Sequence, residues 1–362
     1  MEERDYWYWL GVTEELGGAA AGRLLALYGD PESVFREKEL PIGEGQQAAL
    51  EESRKKLDEL LRERDAYEKA GIHWCHRMDP RYPKRLRDIP DPPIILFWRG
   101  ELPPEEEKTA AVIGARRCSA YGRSMAERFG SALAKEGVAV VSGMAMGIDG
   151  YAQSAAVKAG GRSFAVLGCG VDQAYPAVNR PLYESLLAAG GVISEYKLGT
   201  PPLPYHFPAR NRIISGLCDV LLVIEARKVS GTLITVDQAL EQGRDVLALP
   251  GRLDDPLSEG CNQLIRQGAG ILTAPGDALA ALGLRDAEGE TKEREAGEKA
   301  RKQAALTAEQ RAVFRALSFD PTHLEEIMRK TGFSLGEISL ILMVLEEFGL
   351  ARPVSGGQYV RT

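Results

Sequence analysis

No apolar run in the 362 residues approaches the ~18 that a membrane-spanning helix needs, so no membrane partner is expected. Cysteine is scarce. Cys75, Cys118, Cys169, Cys218 and Cys261 form an odd set with no C-x-x-C pair, which excludes a disulfide framework or a zinc ribbon and suits reduced thiols in a cytoplasm. The acidic start, Met1-Glu2-Glu3-Arg4-Asp5, does not read as a secretory signal or a transit peptide. Basic charge is not in excess: 45 Lys and Arg stand against 52 Asp and Glu, for a net charge of −7. A globally basic polyanion binder is thereby excluded, and any polyanion site has to be local.

Cofactor and catalytic signatures are missing as well. Gly114 is not followed by the further glycines of G-x-G-x-x-G, and Gly168-Cys169-Gly170 lacks the third. Without a G-K-[ST] phosphate loop or a G-x-S-x-G nucleophile elbow, neither a dinucleotide, ATP nor a serine hydrolase is indicated. No cofactor is expected. His73-Trp74-Cys75-His76 has metal-binding residue types, but no other Cys or His lies near in sequence, and a packing role is expected.

The length implies two or three domains at ~100–200 residues each. Residues 1–70 read as a small helical domain, with Leu24, Leu25, Leu27 and Tyr28 between glycine breakers and a longer helix from about Gln46 to Ala70. The cluster Tyr6, Trp7, Tyr8 and Trp9 reads as its core. Residues 71–283 carry apolar runs of strand length, Ala110–Ile113, Val138–Val141, Phe164–Leu167, Val192–Ile193, Val220–Ile224, Val246–Leu249 and Ile271–Leu272, alternating with segments of helical period. That alternation predicts an α/β domain with a mostly parallel sheet covered by helices on both faces. Residues 284–305 hold twelve charged residues and one large apolar residue, Leu284, and read as a charged linker.

Residues 306–362 show three capping boxes (Thr307…Gln310, Thr322…Glu325, Ser334…Glu337) and a glycine-turned hairpin, the outline of a C-terminal winged-helix domain. Its third helix, Ser334 to Phe348, holds Glu337, Glu346 and Glu347 but no lysine or arginine. A role as a protein-contact module, or as a flexible appendage on the charged linker, suits the domain better than insertion into a DNA groove.

In a parallel α/β sheet, ligands sit beyond the carboxyl ends of the strands. The first such loop is Gly114-Ala115-Arg116-Arg117 and the second Ser142-Gly143-Met144-Ala145-Met146-Gly147-Ile148-Asp149. The third runs from Glu225-Ala226-Arg227-Lys228 to Ser230-Gly231-Thr232. Glycines and hydroxyls at helix starts suit phosphate nests, and three on one sheet edge suit a polynucleotide backbone. Tyr205-His206-Phe207-Pro208-Ala209-Arg210-Asn211-Arg212 interleaves aromatic and basic residues, as single-stranded nucleic acid requires.

These loops together resemble the DNA-processing protein A (DprA/Smf) family. Further matching stretches are Phe207-Pro208-Ala209-Arg210-Asn211-Arg212-Ile213-Ile214-Ser215-Gly216, Ser230-Gly231-Thr232-Leu233-Ile234-Thr235, Tyr175-Pro176…Asn179, Ser194-Glu195-Tyr196, and Pro250-Gly251 with Gly260-Cys261-Asn262. The resemblance implies a Rossmann-like domain that binds single-stranded DNA, a homodimer, and loading of a RecA-type recombinase in natural transformation, without catalysis. On this reading Arg116, Arg117, Arg180, Arg210 and Arg212 neutralise phosphates. Gly114, Ser142, Gly143, Ser230, Gly231 and Thr232 supply donors, Asn211 lies among them, and Phe207 stacks on a base. Two departures from the family pattern are Ala115, where serine is usual, and Gln153, where histidine is usual. The alternative is a nucleotide-cleaving enzyme of the lysine-decarboxylase-like Rossmann group, with Glu225 ahead of Ser230-Gly231-Thr232 but without that group's double glycine.

Overall fold

The computed structural model describes residues 1–284 and 306–362. They form two compact units, residues 1–117 with 126–273 and residues 118–125 with 274–284 and 306–362. The stretch expected to be a linker lies, apart from Leu284, outside the described residues.

The larger unit is built on nine strands. In chain order they are β1 (His73–His76), β2 (Ile95–Gly100), β3 (Thr109–Ile113), β4 (Ala139–Ser142), β5 (Ser163–Val166), β6 (Gly190–Ser194), β7 (Val220–Val223), β8 (Asp245–Ala248) and β9 (Gly270–Ile271). The spatial order is β1-β2-β6-β5-β4-β3-β7-β8-β9. The strands from β3 to β9 run parallel, whereas β2 pairs antiparallel with β6 and β1 with β2.

Every residue of β3 to β7 is buried, as continuous apolar strands covered on both faces should be. The two faces alternate along the chain. Phe164 and Val166 pack into one apolar cluster with Ile113, Val141 and Leu221, and Ala165 and Leu167 into another with Phe97 and Val192. From β3 the chain steps outward through β4, β5 and β6. It then returns to lay β7 on the other side of β3. The crevice beyond the ends of β3 and β7 is therefore the topological switch point.

The N-terminal helices share this core. Tyr6, Trp7, Tyr8 and Trp9 on the helix Glu3–Val12 are all buried, and the Tyr8 ring lies 5.1 Å from Trp74 and 6.2 Å from Phe97. The single helix expected over 46–70 is two, Glu44–Lys55 and Leu57–Lys69, broken at Lys56. In β1, Cys75 is buried and His76 stacks on Trp7 at 4.8 Å.

In the smaller unit the helices Ala308–Ala316, Leu324–Thr331 and Leu335–Glu347 accompany β10 (Thr322–His323), β11 (Ala351–Val354) and β12 (Gln358–Arg361), ordered β10-β12-β11. Capping boxes form at Thr307 and Ser334. The one expected at Thr322 does not. Thr322 is a buried strand residue paired with Tyr359, its hydroxyl donates to the Asp320 carbonyl, and the helix after it starts without a side-chain cap.

Candidate nucleic-acid interface

The loops after β3 and β7 meet one face of the helix His206–Leu217 across a cleft of about 810 Å³. Gly114, Ala115, Arg116 and Arg117 line it from the β3 side, and Ala226, Arg227, Ser230, Gly231 and Thr232 from the β7 side. The helix contributes Phe207, Pro208, Arg210, Asn211 and Ile214. These positions recur every three or four residues and so share a face. Arg116, Arg117, Arg210 and Arg227 are opposed by one carboxylate among the lining residues, Asp149. Arg116, Arg117 and Arg227 are exposed. The cleft is thus a local basic site on an acidic chain, the condition that the net charge of −7 set.

The loop after β4 supports this cleft from beneath. The Asp149 carboxylate accepts from the Gly143 amide at 3.1 Å, and the Gln153 carbonyl oxygen accepts from the Met144 amide at 3.0 Å. Asn179 donates to the carbonyls of Met144 and Ala145 at 2.8 and 3.2 Å. Met144 is held at φ +52°, a conformation that needs such support in a non-glycine residue. Gly147 (φ +80°) passes so close to the first loop that a Cβ would lie 2.3 Å from the Ala115 carbonyl oxygen. Gln153 also donates to the Ser163 hydroxyl at 3.2 Å and the Phe164 carbonyl at 3.1 Å. This departure from the family pattern is a fully buried brace beneath the cleft.

Several expected phosphate contacts are not available. Ser142 ends β4 fully buried, and its hydroxyl donates to the Val112 carbonyl at 2.7 Å. The Gly143 amide is taken by Asp149. A Cβ on Gly143 would lie 2.4 Å from the Arg210 guanidinium, so close approach of that side chain is what requires glycine there. Arg210 is only 4% exposed and donates to the carbonyls of Gly143 and Val166. Burial pulls its guanidinium down to about 10 against the opposing pull of Asp149. Burial likewise raises the Asp149 carboxyl, against the Arg210 charge.

Arg212, on the other face of the helix, forks onto Glu195 at 2.7 and 2.6 Å and reaches Asp91 at 3.0 Å. Burial lowers its pKa, but Glu195 and then Asp91 outweigh this and hold it above the ordinary arginine range. Arg210 and Arg212 are therefore internal cations rather than phosphate-facing ones. Arg180 is exposed at the start of the helix Arg180–Ala189 but is not among the residues that line the cleft.

The remaining expected residues do converge. Ser230 caps the helix Gly231–Glu241 without a side-chain bond, and its buried hydroxyl has no hydrogen-bond partner among the described residues. Gly231 has open space around it. The Arg116 guanidinium lies 5.2 Å from the Phe207 ring centroid. Among the lining residues without a role predicted from the sequence are a cation and an aromatic ring, Arg227 and Tyr175. Arg227 belongs to the loop after β7. Tyr175 stacks on Phe207 with centroids 5.6 Å apart and planes 29° from parallel. Its signal in the sequence is an aromatic directly before Pro176 in a loop beyond a strand end.

The family model for DNA recombination-mediator protein A matches residues 73–283, and the DprA winged helix domain matches residues 297–357. The chain is 45% identical over 203 residues to DNA processing protein DprA of Streptococcus pneumoniae, covering 56% of this chain and 72% of that protein. It is 31% identical to Protein Smf of Synechocystis across 99% of both chains. The X-ray structure of the Streptococcus pneumoniae protein superposes with a TM-score of 0.63 at 35% identity, over 76% of this chain and 97% of that one. A structure of DNA processing protein A from Helicobacter pylori, described for its single-stranded DNA binding mode, gives 0.52 at 28% identity over 58% and 95%. The mostly parallel Rossmann-like sheet, the loops at its switch point and the C-terminal winged helix all fall within these matches, and the chain belongs to the DNA recombination-mediator protein A (DprA/Smf) family.

Proposed function

We propose that this protein binds single-stranded DNA in the cleft at the switch point and hands it to a RecA-type recombinase, as in natural transformation, acting as a cytoplasmic homodimer without catalysis. One observation carries the DNA-binding reading: exposed guanidinium groups and aromatic faces share one cleft, with Arg116 5.2 Å from the Phe207 centroid and Tyr175 stacked on the same ring. Cations meet phosphates, and ring faces meet bases that only an unpaired strand exposes. Arg116, Arg117 and Arg227 take the backbone, and Ser230, Gly231 and Thr232 offer donors at a helix start. The winged-helix unit serves protein contacts. The binding reading stands above the nucleotide-cleaving one because Glu225 is only 2% exposed and does not line the cleft.

The test is a gel-shift comparison of one sequence as a single strand and as a duplex. The single strand binds at least about tenfold tighter, because stacking is worth ~1–3 kcal/mol per base. Equal affinities refute the reading. Arg116→Ala weakens single-strand binding while leaving the denaturation midpoint in place. Its plot of log affinity against log salt is less steep by about 0.7 for each phosphate that is no longer neutralised. An unchanged slope would show that Arg116 does not touch the backbone.

A further inference from the structure

We propose that Tyr175, rather than Phe207, is the outer platform on which a nucleobase stacks, and that Phe207 is the inner ring that holds it in place. This deepens the DNA-binding reading above and rests on it. Phe207 is half-buried and closely surrounded. Arg116 lies 5.2 Å and Arg210 6.0 Å from its centroid, and Tyr175 stacks at 5.6 Å. A Cβ on Gly168 would come within 3.0 Å of its Cδ1, so that backbone abuts the ring as well. Two guanidinium groups, a second ring and a strand-end backbone leave Phe207 little free π surface.

Tyr175 is the outer member of the stack, 40% exposed. Like Phe207, it lines the large cleft and also a narrow slot of about 40 Å³ whose other walls include Met146, Leu167, Gly168, Cys169 and Pro176. A slot of that size holds a few water molecules at about 10–15 Å³ each and is too small for a base, so a base has room only on the cleft side. Tyr175 is also fixed from behind. The Asn179 amide donates to the Pro176 carbonyl at 2.9 Å, and the Asn179 side chain is tied to the loop after β4. A platform ordered before the ligand arrives costs less on binding. Every base has a π face, so the contact is independent of sequence.

The experiment measures fluorescence anisotropy of the full chain with an oligonucleotide and with an abasic strand of the same length, at one salt concentration. Tyr175→Ala loses roughly tenfold on the oligonucleotide and far less on the abasic strand. Tyr175→Phe and Tyr175→Trp keep the wild-type preference for the base-bearing strand. Equal losses of Tyr175→Ala on both strands, or a Tyr175→Phe as weak as Tyr175→Ala, overturn the assignment while leaving the DNA-binding reading intact. A wild-type chain that binds neither strand overturns both.

Discussion

Arg210→Ala is expected to destabilise the larger unit by about 3–5 kcal/mol, the cost of stranding a buried charge by removing its partner. The side chain that disappears is 4% exposed, donates to the Gly143 and Val166 carbonyls, and is the cation whose charge opposes the raised pKa of Asp149. The deficit depends on pH. Asp149 already has a folded-state pKa above its ordinary 3.8, and losing Arg210 raises it further. A carboxylate shifted upward binds protons more readily in the folded state, so its penalty is complete above the folded pKa and shrinks as pH falls toward 3.8. Denaturant midpoints measured from pH 5 to 8 should show the variant closest to wild type at the acid end. A midpoint unchanged from wild type at pH 8, with affinity alone reduced, would restore Arg210 to the phosphate-binding set.

The second large effect is at Arg212. Its side chain and that of Glu195 are 9% and 14% exposed, so this is a buried pair rather than a surface one. Arg212→Ala should cost about 3 kcal/mol or more, because Glu195 keeps its charge without its fork of donors. Adding Glu195→Gln should recover part of that loss, and the cycle should return a coupling of roughly 0.5–3 kcal/mol. Additive effects of the two substitutions would show that the pair is not coupled. Arg116→Ala provides the contrast, since it removes an exposed group and is read in affinity rather than stability.

The two arginines also mark where sequence reasoning stops. The strands are legible because apolar runs buried on both faces need no knowledge of their neighbours, and the loops at their ends follow from parallel topology. Direction around a helix is not legible in the same way. Arg210 and Arg212 sit two positions apart, about 200° around the helix, so they cannot both face one cleft. Their nearness to Phe207 in sequence suggests otherwise. The acids that claim Arg212, Glu195 and Asp91, lie 17 and 121 residues away. Ser142 fails as a phosphate donor for a similar reason, because whether a strand-end hydroxyl faces the cleft or bonds to the adjacent strand depends on the pleat. Thr322 carries a valid capping pattern that strand pairing overrides. Tyr175 stands in a family-like stretch without a role of its own, since only the fold brings it onto Phe207, 32 positions later.

The loop after β4 is folded back on the helix that follows it, with its first two amides held by Asp149 and Gln153 and its carbonyls by Asn179. Its ordering entropy is therefore spent when the chain folds, not when a strand arrives. On the proposed single-strand reading, the flexible partner in the encounter is the nucleic acid. If the proposed reading holds, the association rate is set by the strand's own search and by electrostatic attraction to Arg116, Arg117 and Arg227, rather than by ordering of this loop.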